Sequence, residues 1–453
     1  MSHSRTPLPP RSPGRASDAV IPDPELHESR LDNGLRVVTM PMPWLHEVGV
    51  TLMVRAGSRF EDAPRAGVAH FLEHMLFKGT RRIPDPSALH AHLEALAADM
   101  NAATGHEANA YWLHLPPEHL EEGMAVFCEM FTEPVFAGIE TERQVILAEM
   151  REDENDRGEM TNSGILGGEQ LWPGDPLARP ILGTRETISS IGVAALREYL
   201  DRQYLGGRSA VAFFGPVDHR HGVELAERAL GSLPRDPGAA PPRPPSPMPS
   251  GPHWVAVDDN TSLHSLSLFF RTGGYRDPDF HGIAALRRLL DDGFSSRLQA
   301  GLREKEGLVY DIWANFNTHS DTGFLELGAS VAPEHLVTVF AALYRELALL
   351  AECAPAASEW ERIMTRWRVS LTSCLDRPSD LVERYVGDGL FESVESLAAT
   401  WRLASALDPA RLPDLARELT RATNLVVVLV GPEARGRLPQ LQQCLRAIRW
   451  HRF

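Results

Sequence analysis

The sequence predicts an α+β protein made of two homologous domains, each a mostly antiparallel sheet with helices on one face. Three observations lead to this prediction. The 453 residues exceed the length of one ordinary domain. A proline-rich segment divides the chain near its middle, and short motifs recur on its two sides at a constant offset.

The first 24 residues predict a disordered tail. They are rich in Ser, Pro and Arg and contain no apolar run, so they resemble neither a signal peptide nor a membrane anchor. Five prolines within the first 22 residues also oppose the amphipathic helix of a mitochondrial presequence. We therefore expect the folded part of the chain to begin at residue 25.

Composition limits the classes of partner. No stretch approaches the roughly 18 uninterrupted apolar residues of a membrane span, so we expect no membrane association. The net charge of -16 argues against nucleic acid, whose phosphates would be repelled. The four cysteines are scattered without a C-x-x-C pair, which fits a reducing compartment, and we expect a cytoplasmic protein.

The first half contains strand-like segments followed by helix-like segments. Residues 35–40 follow a turn signal and predict a strand, as do residues 48–54. Asp85 followed by Pro86 predicts the start of a helix. Further along, a turn followed by a strand and then two helices are predicted at residues 101–115, 117–131 and 140–156.

One pentapeptide, His70-Phe71-Leu72-Glu73-His74, predicts a metal site. On a helix, His70 and His74 lie four residues apart and share a face, with Glu73 on the same side. Neutral imidazole is a good zinc ligand, and a catalytic zinc needs three protein ligands and an open position for water. H-x-x-E-H is the inverted form of the H-E-x-x-H motif, in which the glutamate is the general base for the attacking water.

Chance and core packing are the competing interpretations of this pentapeptide. A chain with 18 histidines and many glutamates contains the pattern by chance in roughly one case in twenty. The flanking residues, 67–69 and 75–77, are apolar, so the polar residues would lie on a buried helix. Buried His and Glu side chains need partners or a metal, and three of them on one face favour a metal site.

A third ligand is expected on a nearby element, and residues 140–154 are rich in acids. Glu142 and Glu149 lie seven residues apart, almost two helical turns, and so share a helical face. The acids that follow them are also typical of a solvated helix end. From the residues alone, Glu142, Glu149 and Glu152 all remain open as the third ligand.

A domain boundary is predicted at residues 233–252, which contain nine prolines and have the composition of a linker. The boundary leaves domains at residues 25–232 and 253–453. Two motifs recur at an offset of 216 residues (271 - 55 and 431 - 215): Arg55-Ala56-Gly57 with Arg271-Thr272-Gly273, and Phe214-Gly215-Pro216 with Val430-Gly431-Pro432. The two domains are therefore predicted to be copies of one unit.

The second copy lacks the residues of the predicted metal site. Alignment of the two copies places three residues that cannot form this site opposite His70, Glu73 and His74. They are Ala285, Arg288 and Leu289. We therefore predict that the first domain is catalytic and that the second forms part of a substrate chamber.

Three segments resemble signature segments of the pitrilysin family of zinc peptidases, which includes insulin-degrading enzyme and the mitochondrial processing peptidase. They are Gly57-Ser58-Arg59-Phe60-Glu61, residues 69–80 around the histidine motif, and residues 142–149. The resemblance implies the fold of the mitochondrial processing peptidase and the LuxS-like metallohydrolases. It also implies that Glu149 is the third ligand of one zinc ion per chain and that Glu73 is the catalytic base. Glu142 would be a carboxylate that does not bind the metal but helps to hold the site in place.

Two further segments resemble substrate-binding parts of this family. Residues 302–310 resemble the segment that supplies an arginine and a tyrosine, which implies that Arg303 and Tyr310 stabilise the oxyanion. Asn101-Ala102 resembles the start of the edge strand that pairs with an extended peptide. The chain departs from the family pattern at Ala103, where an aromatic is usual, and at Asp175, where histidine commonly precedes the proline.

The resemblance implies a zinc-dependent endopeptidase that hydrolyses extended peptides in a clamshell chamber. In the branch of the family whose chains contain two such domains, the zinc-binding domain of one subunit faces the domain of another subunit that carries the arginine and the tyrosine. Because this chain carries both halves, we expect a homodimer. The alternatives are a non-catalytic core subunit and the zinc-bearing subunit of a heterodimer with a zinc-less homologue. Peptide degradation, transit-peptide removal and leader trimming of a modified peptide all remain open as the physiological role.

Overall fold

The computed structural model describes residues 20–238, 245–248, 250–387, 390 and 395–448. Residues 1–19 of the predicted tail lie outside the described residues, as do residues 239–244 and 249 of the predicted linker. The described chain folds into two β-sheets with helices packed around them.

The strands form one six-stranded and one five-stranded sheet. Their bounds are β1 His27–Arg30, β2 Arg36–Pro41, β3 Val48–Val54, β4 Asp99–Thr104, β5 Asn109–Leu115, β6 Ser209–Gly215, β7 His253–Asp258, β8 His264–Thr272, β9 Val309–Thr318, β10 Gly323–Val331 and β11 Leu425–Gly431. The first sheet has the order β1-β2-β6-β3-β5-β4, and the second has the order β7-β11-β8-β10-β9.

The two sheets have the same strand arrangement. The order β2-β6-β3-β5-β4 in the first matches β7-β11-β8-β10-β9 in the second. Among the described strands, the pairs β2/β6 and β7/β11 are parallel and the remaining pairs are antiparallel. The repeated glycines Gly215 and Gly431 end β6 and β11 with φ of 111° and 144°, a region that favours glycine. The predicted α+β fold with two homologous, mostly antiparallel domains is confirmed.

Helices cover both sheets. Their bounds are α1 Val68–Leu76, α2 Pro86–Ala95, α3 Leu120–Thr132, α4 Ile139–Glu149, α5 Ser163–Leu171, α6 Arg185–Ser190, α7 Val193–Gln203, α8 His219–Leu230, α9 Phe280–Leu290, α10 Leu336–Glu352, α11 Ala357–Ser373, α12 Pro378–Val382, α13 Leu397–Ser405, α14 Leu412–Leu419 and α15 Ala434–Ala447. None of the helices in the described part of the chain is both long enough and apolar enough to cross a membrane.

The two faces of the first sheet are buried against different halves of the molecule. Successive side chains of a strand point to opposite faces, and β6 follows this rule. Val211 and Phe213 belong to the core under the helices of the first half, whereas Ala210, Ala212 and Phe214 belong to the core of the second half. Alternate side chains of β6 therefore pack into the cores of the two halves.

Each half also places a segment against the sheet of the other. Residues 383–387 of the second half lie near the first sheet, where Arg36 donates a hydrogen bond to the carbonyl of Tyr385 at 3.0 Å. In return, α5 of the first half packs on the second sheet, with Leu166 in one cluster with Val426 and other residues of β7, β8 and β11. The two halves therefore form one continuously packed body.

A buried ionic cluster adds a polar connection between the halves. The Arg59 side chain is only 2% exposed and lies 2.5 Å from a carboxylate oxygen of Glu107. It also donates to both carboxylate oxygens of Asp321 in the second half, at 2.8 and 2.9 Å. Ser320 donates its backbone N–H and its hydroxyl to Glu107 at 2.7 and 2.6 Å. Residues on either side of the predicted linker therefore share one hydrogen-bond network.

Replacing Arg59 with methionine is expected to lower the free energy of unfolding by about 3–5 kcal/mol, because the buried Glu107 carboxylate would lose its cationic partner. The control is Arg81→Met, which breaks the exposed ion pair with Glu133 and should cost less than about 1 kcal/mol. Urea unfolding of the two variants measures the difference. Equal losses would show that the buried cluster contributes no more than a surface pair.

Several boundaries differ from the sequence predictions. Ile21 is 3% exposed, and Asp23 accepts a hydrogen bond from the Tyr385 hydroxyl at 2.9 Å, so the predicted tail extends too far along the chain. The predicted helix at residues 140–156 is too long, because α4 ends at Glu149 and a tighter 3-10 turn follows it. Contacts with residues far along the chain fix the end of the predicted tail. The change from α-helix to 3-10 helix fixes the end of α4.

The predicted turn and strand at residues 101–115 also need correction. Asn101 already lies in β4, and the turn is at residues 105–108, where the Gly105 N–H donates to the Ala108 carbonyl at 2.8 Å. Across the predicted linker, the described residues form neither helix nor strand. The domain boundaries at residues 232 and 253 stay a prediction.

Candidate metal centre

The loop before α1 fixes the start of the histidine helix. Gly67 has a φ of 90°, which favours glycine, and α1 begins at the next residue. The Glu61 carboxylate accepts hydrogen bonds from the backbone N–H groups of Gly67 and Ala69, both at 2.8 Å. A carboxylate at a helix N-terminus satisfies free N–H groups and complements the helix dipole. Burial raises the pKa of Glu61 to about 7 despite these hydrogen bonds.

Three side chains converge where α1 and α4 meet. His70 Nε2 lies 3.8 Å from Glu149 Oε1, and His74 Nε2 lies 3.8 Å from Glu149 Oε2. One ligand atom from each of the three residues lies within 4.8 Å of the other two. Across the described residues this is the one such group of three. The structure thus brings together the three residues predicted as zinc ligands.

The surroundings of the two histidines suit metal binding. Burial lowers the pKa of His70 to about 4, and nearby His74 adds to the effect, so the ring is neutral. His74 Nδ1 lies 3.0 Å from Glu142 Oε2. Because an ionised carboxylate only accepts, Nδ1 is the donor to Glu142, and Nε2 is the ring atom on the side of Glu149.

Glu142 supports His74 from outside the cluster. Lys78 Nζ lies 2.5 Å from the second carboxylate oxygen of Glu142. Burial opposes ionisation of Glu142, but the hydrogen bonds from Lys78 and His74 outweigh it and lower its pKa. The arrangement orients the His74 ring in the way that outer carboxylates commonly do at metal sites.

The donor set fits zinc. Separations of 3.8 Å between the histidine nitrogens and the Glu149 oxygens are too long for hydrogen bonds, so the three groups converge without satisfying one another. Ligand atoms around a tetrahedral zinc, with bonds of about 2.1 Å, lie about 3.4 Å apart. Two imidazoles and a carboxylate are also a ligand set of catalytic zinc sites.

Glu73 lies beside this cluster and is turned towards β4. Its carboxylate accepts a hydrogen bond from the Thr104 hydroxyl at 2.5 Å. Burial raises its pKa, against the opposing effects of Thr104 and His74. A carboxylate with a raised pKa next to three converging ligands is suited to general acid-base chemistry.

Comparison with known proteins agrees with this geometry. A family model described as insulinase (peptidase family M16) matches residues 36–185, and one described as the peptidase M16 inactive domain matches residues 190–366. An uncharacterized zinc protease of Mycobacterium bovis is 31% identical over 342 residues, which cover 73% of this chain and 75% of that protein. The chain belongs to the M16 (insulinase) family. The predicted family resemblance is confirmed.

Two further relatives extend the comparison. A probable mitochondrial-processing peptidase subunit beta of Schizosaccharomyces pombe is 29% identical over 378 residues, which cover 80% of this chain and 81% of that protein. The crystal structure of a protease from Helicobacter pylori matches with a TM-score of 0.82 and 22% identity, over 90% of this chain and 100% of that one. This M16 chain therefore has the fold of a protease and is similar to proteins named as zinc proteases.

The predicted peptide-binding residues lie on the edge of the first sheet. β4 is the last strand of that sheet and pairs with β5 on one side. Asn101 and Ala103 are exposed, whereas Ala102 packs against the core. Ala102 donates its backbone N–H to Asn101 Oδ1 at 2.8 Å. An edge strand with unpaired backbone groups can accept an additional strand.

Arg303 and Tyr310 do not join the cluster within one chain. Arg303 lies in the π-helical segment Gln299–Lys305 and is exposed, and Tyr310 lies in β9 and is 82% exposed. Among the described residues, neither side chain forms a hydrogen bond or an ion pair with Glu73 or with the three converging residues. The structure thus leaves both groups on an open surface of the second half.

At the three aligned positions of α9, the second copy of the unit carries no metal-binding side chain. Ala285 and Leu289 of α9 are buried in the core of the second half. Arg288 forms an ion pair with Asp292 at 2.8 Å and lies over the ring of Trp367.

Asp175 of the first half is one of the two residues that depart from the family pattern. It accepts a hydrogen bond from the Leu177 N–H at 3.0 Å and caps a short turn.

Sequence reasoning missed the two residues that hold the site carboxylates. Thr104 donates to Glu73, and Lys78 forms an ion pair with Glu142. Lys78 lies in the segment 69–80 that resembles the family, whereas Thr104 lies outside the segments that carry the resemblance. Their spacing alone carried no signal, because each reaches its carboxylate from a different part of the fold.

Proposed function

We propose that this M16 protein is a zinc-dependent endopeptidase that hydrolyses peptide bonds in extended peptides. The observation that carries the proposal is the convergence of His70, His74 and Glu149 next to the Thr104-bonded Glu73. Relatives that are named zinc proteases support it. His70, His74 and Glu149 would hold one zinc ion per chain, with Glu142 orienting His74.

Zinc, when bound, would lower the pKa of the attacking water and polarise the peptide carbonyl. Glu73 accepts the proton of that water and then gives it to the amine that leaves. The raised pKa of Glu73 suits both transfers, because a carboxyl group that is too acidic would return the proton poorly. One side chain thus serves as base and then as acid.

The substrate is proposed to bind as an additional strand on β4. Backbone pairing with Asn101 and Ala102 would hold an extended peptide without reading its sequence, and side-chain pockets would supply preference. Ala103 is exposed on this edge and has a small side chain. We propose that this small side chain changes the shape of the neighbouring substrate subsite.

The oxyanion is proposed to be stabilised across a homodimer. Arg303 and Tyr310 are exposed and, among the described residues, form no hydrogen bond or ion pair with the cluster of their own chain, which suits groups that act on the site of a second subunit. A cation and a phenol are suitable donors for a developing negative charge. We also propose a cytoplasmic location, because all four cysteines are free.

A second candidate is the zinc-bearing subunit of a heterodimer. The similarity to a protein named mitochondrial-processing peptidase subunit beta favours it. A non-catalytic core subunit is a third candidate, favoured by the match of residues 190–366 to a domain described as inactive. The convergence of His70, His74 and Glu149 opposes the core subunit. The presence of Arg303 and Tyr310 in the same chain favours the homodimer over the heterodimer.

Metal analysis combined with peptide digestion tests the proposed function. Purified wild type is expected to bind one zinc per chain and to cleave an unstructured peptide library, as read by mass spectrometry. Glu149→Gln should lose both zinc and cleavage, because it removes a charged ligand. Glu152→Gln is the matched control and should keep both, since Glu152 is exposed and lies outside the cluster.

The outcomes separate the candidates. A wild type that binds no zinc, or a Glu149→Gln variant with unchanged zinc, would contradict the ligand assignment. Zinc binding without cleavage by the isolated chain would favour the heterodimer. If the wild type does cleave the library, the cleavage sites define which residues the enzyme prefers on each side of the scissile bond.

A further inference from the structure

We propose that Thr104 is a positioning residue that holds the carboxylate of Glu73 in place through a buried hydrogen-bond chain. The inference rests on the proposed function, because only there does Glu73 act as the base. The chain runs from Glu73 through Thr104 and Asn109 to Tyr111 and Tyr204.

The first link joins the histidine helix to the edge strand. Thr104 is the last residue of β4, and its Oγ1 lies 2.5 Å from Glu73 Oε2. An ionised carboxylate has no hydrogen to give, so the Thr104 hydroxyl is the donor. Among the described residues, the other carboxylate oxygen of Glu73 accepts no hydrogen bond, so it is free to face the attacking water.

The second link fixes the direction of the hydroxyl. Asn109 pairs with Thr104 across β4 and β5, and its Nδ2 donates to Thr104 Oγ1 at 3.1 Å. A hydroxyl has one hydrogen and two lone pairs. Because Asn109 donates to one lone pair, the single hydrogen of Thr104 is directed to Glu73. Rotation of the Thr104 side chain about its Cα–Cβ bond would therefore break both hydrogen bonds.

The far end of the chain is anchored in the core. Asn109 is fully buried, and its Nδ2 lies 3.5 Å from the hydroxyls of both Tyr111 and Tyr204, which are 2.6 Å apart. Both tyrosine rings pack on Phe131. Core packing restricts these rings, so they anchor the buried end of the chain.

This anchor has a consequence for the base. A glutamate side chain has several rotatable bonds, and a general base must lie within about 2.6–3.2 Å of the proton that it takes. Binding one carboxylate oxygen to a fixed hydroxyl limits the rotamers of Glu73. Because β4 is also the proposed peptide-binding strand, the same element would align both the substrate and the base.

Two substitutions at position 104 separate positioning from simple packing. Thr104→Val keeps the branched shape that suits a strand and removes the hydroxyl. Thr104→Ser keeps the hydroxyl and removes a methyl group. If the hydroxyl positions Glu73, the valine variant should lose about 10- to 100-fold in kcat with little change in KM, which is the usual effect of losing an outer-shell partner. The serine variant should retain most of the wild-type kcat.

The experiment compares wild type and both variants at equal, measured zinc content, with one fluorogenic peptide selected from the library digest. Crystal structures of the three proteins supply a readout that is independent of activity. Glu73 should occupy one position in wild type and in Thr104→Ser, and more than one position in Thr104→Val. Unfolding temperatures show whether the valine variant is folded.

The failures of the two proposals are distinguishable. A wild type that cleaves peptides, together with a valine variant of equal kcat, would overturn the positioning role but leave the peptidase intact. A serine variant as slow as the valine variant would also overturn it, since packing would then be the cause. If wild type does not cleave peptides, the proposed function fails, and the position of Glu73 in the crystal structures still decides whether Thr104 holds it.

Discussion

Glu73→Gln is expected to lose nearly all peptide hydrolysis, by about 100- to 10,000-fold in kcat, because an amide cannot take a proton from the attacking water. The fold and the zinc content should remain unchanged. Glu73 is not one of the three converging residues, and glutamine keeps a carbonyl oxygen that can accept the hydrogen bond from Thr104.

The matched control is Glu94→Gln, which makes the same chemical change at an exposed position on α2. Steady-state hydrolysis of one peptide and metal analysis of both variants provide the comparison. The control should behave as wild type. Substantial turnover by zinc-replete Glu73→Gln would show that another group takes the proton.

The two-domain fold could be predicted because the same sequence motifs occur in both halves of the chain. The glycines Gly215 and Gly431 mark equivalent strand ends, and the structure confirms that they end equivalent strands. Strands and short helices depend on local patterns that each copy carries separately. The exchange of segments between the halves was not predictable, because the burial of Ile21 and of Leu166 depends on contacts that no local pattern encodes.

The site could be predicted in part. A helix turn brings His70 and His74 to one face, so two ligands follow from spacing. The choice among the acids does not follow from spacing, because Glu142 and Glu149 share a face of α4. The structure separates them by the way α1 and α4 meet, which sets Glu142 against His74 Nδ1 and Glu149 against Nε2 of both rings.

The residues around the site follow the same rule. Thr104 reaches Glu73 from another strand, and Lys78 reaches Glu142 from the end of the α1 region. Neither contact is periodic, so neither could be read from one sequence. The resemblance to a known family identified Glu149, Arg303 and Tyr310 as candidate site residues. It did not give the distances or contacts between them.

The assembly can be tested by mixing two inactive chains. Glu73→Gln lacks the base, and Tyr310→Phe lacks the hydroxyl that we propose acts on the zinc site of the second subunit. Loss of one oxyanion donor typically lowers the rate about 100- to 1,000-fold, so both parents should be nearly silent. In a mixed dimer, one site would combine the intact Glu73 of one subunit with the intact Tyr310 of the other.

Random exchange between equal amounts of the two chains makes half of the dimers mixed, and each mixed dimer has one intact site of two. The mixture should therefore recover about a quarter of the wild-type rate, well above either parent. Because Tyr310 is 82% exposed, its loss should not disturb the fold of its own chain. No recovery, with subunit exchange verified by native mass spectrometry, would mean that the site is complete within one chain or that the Tyr310 hydroxyl has no part in catalysis.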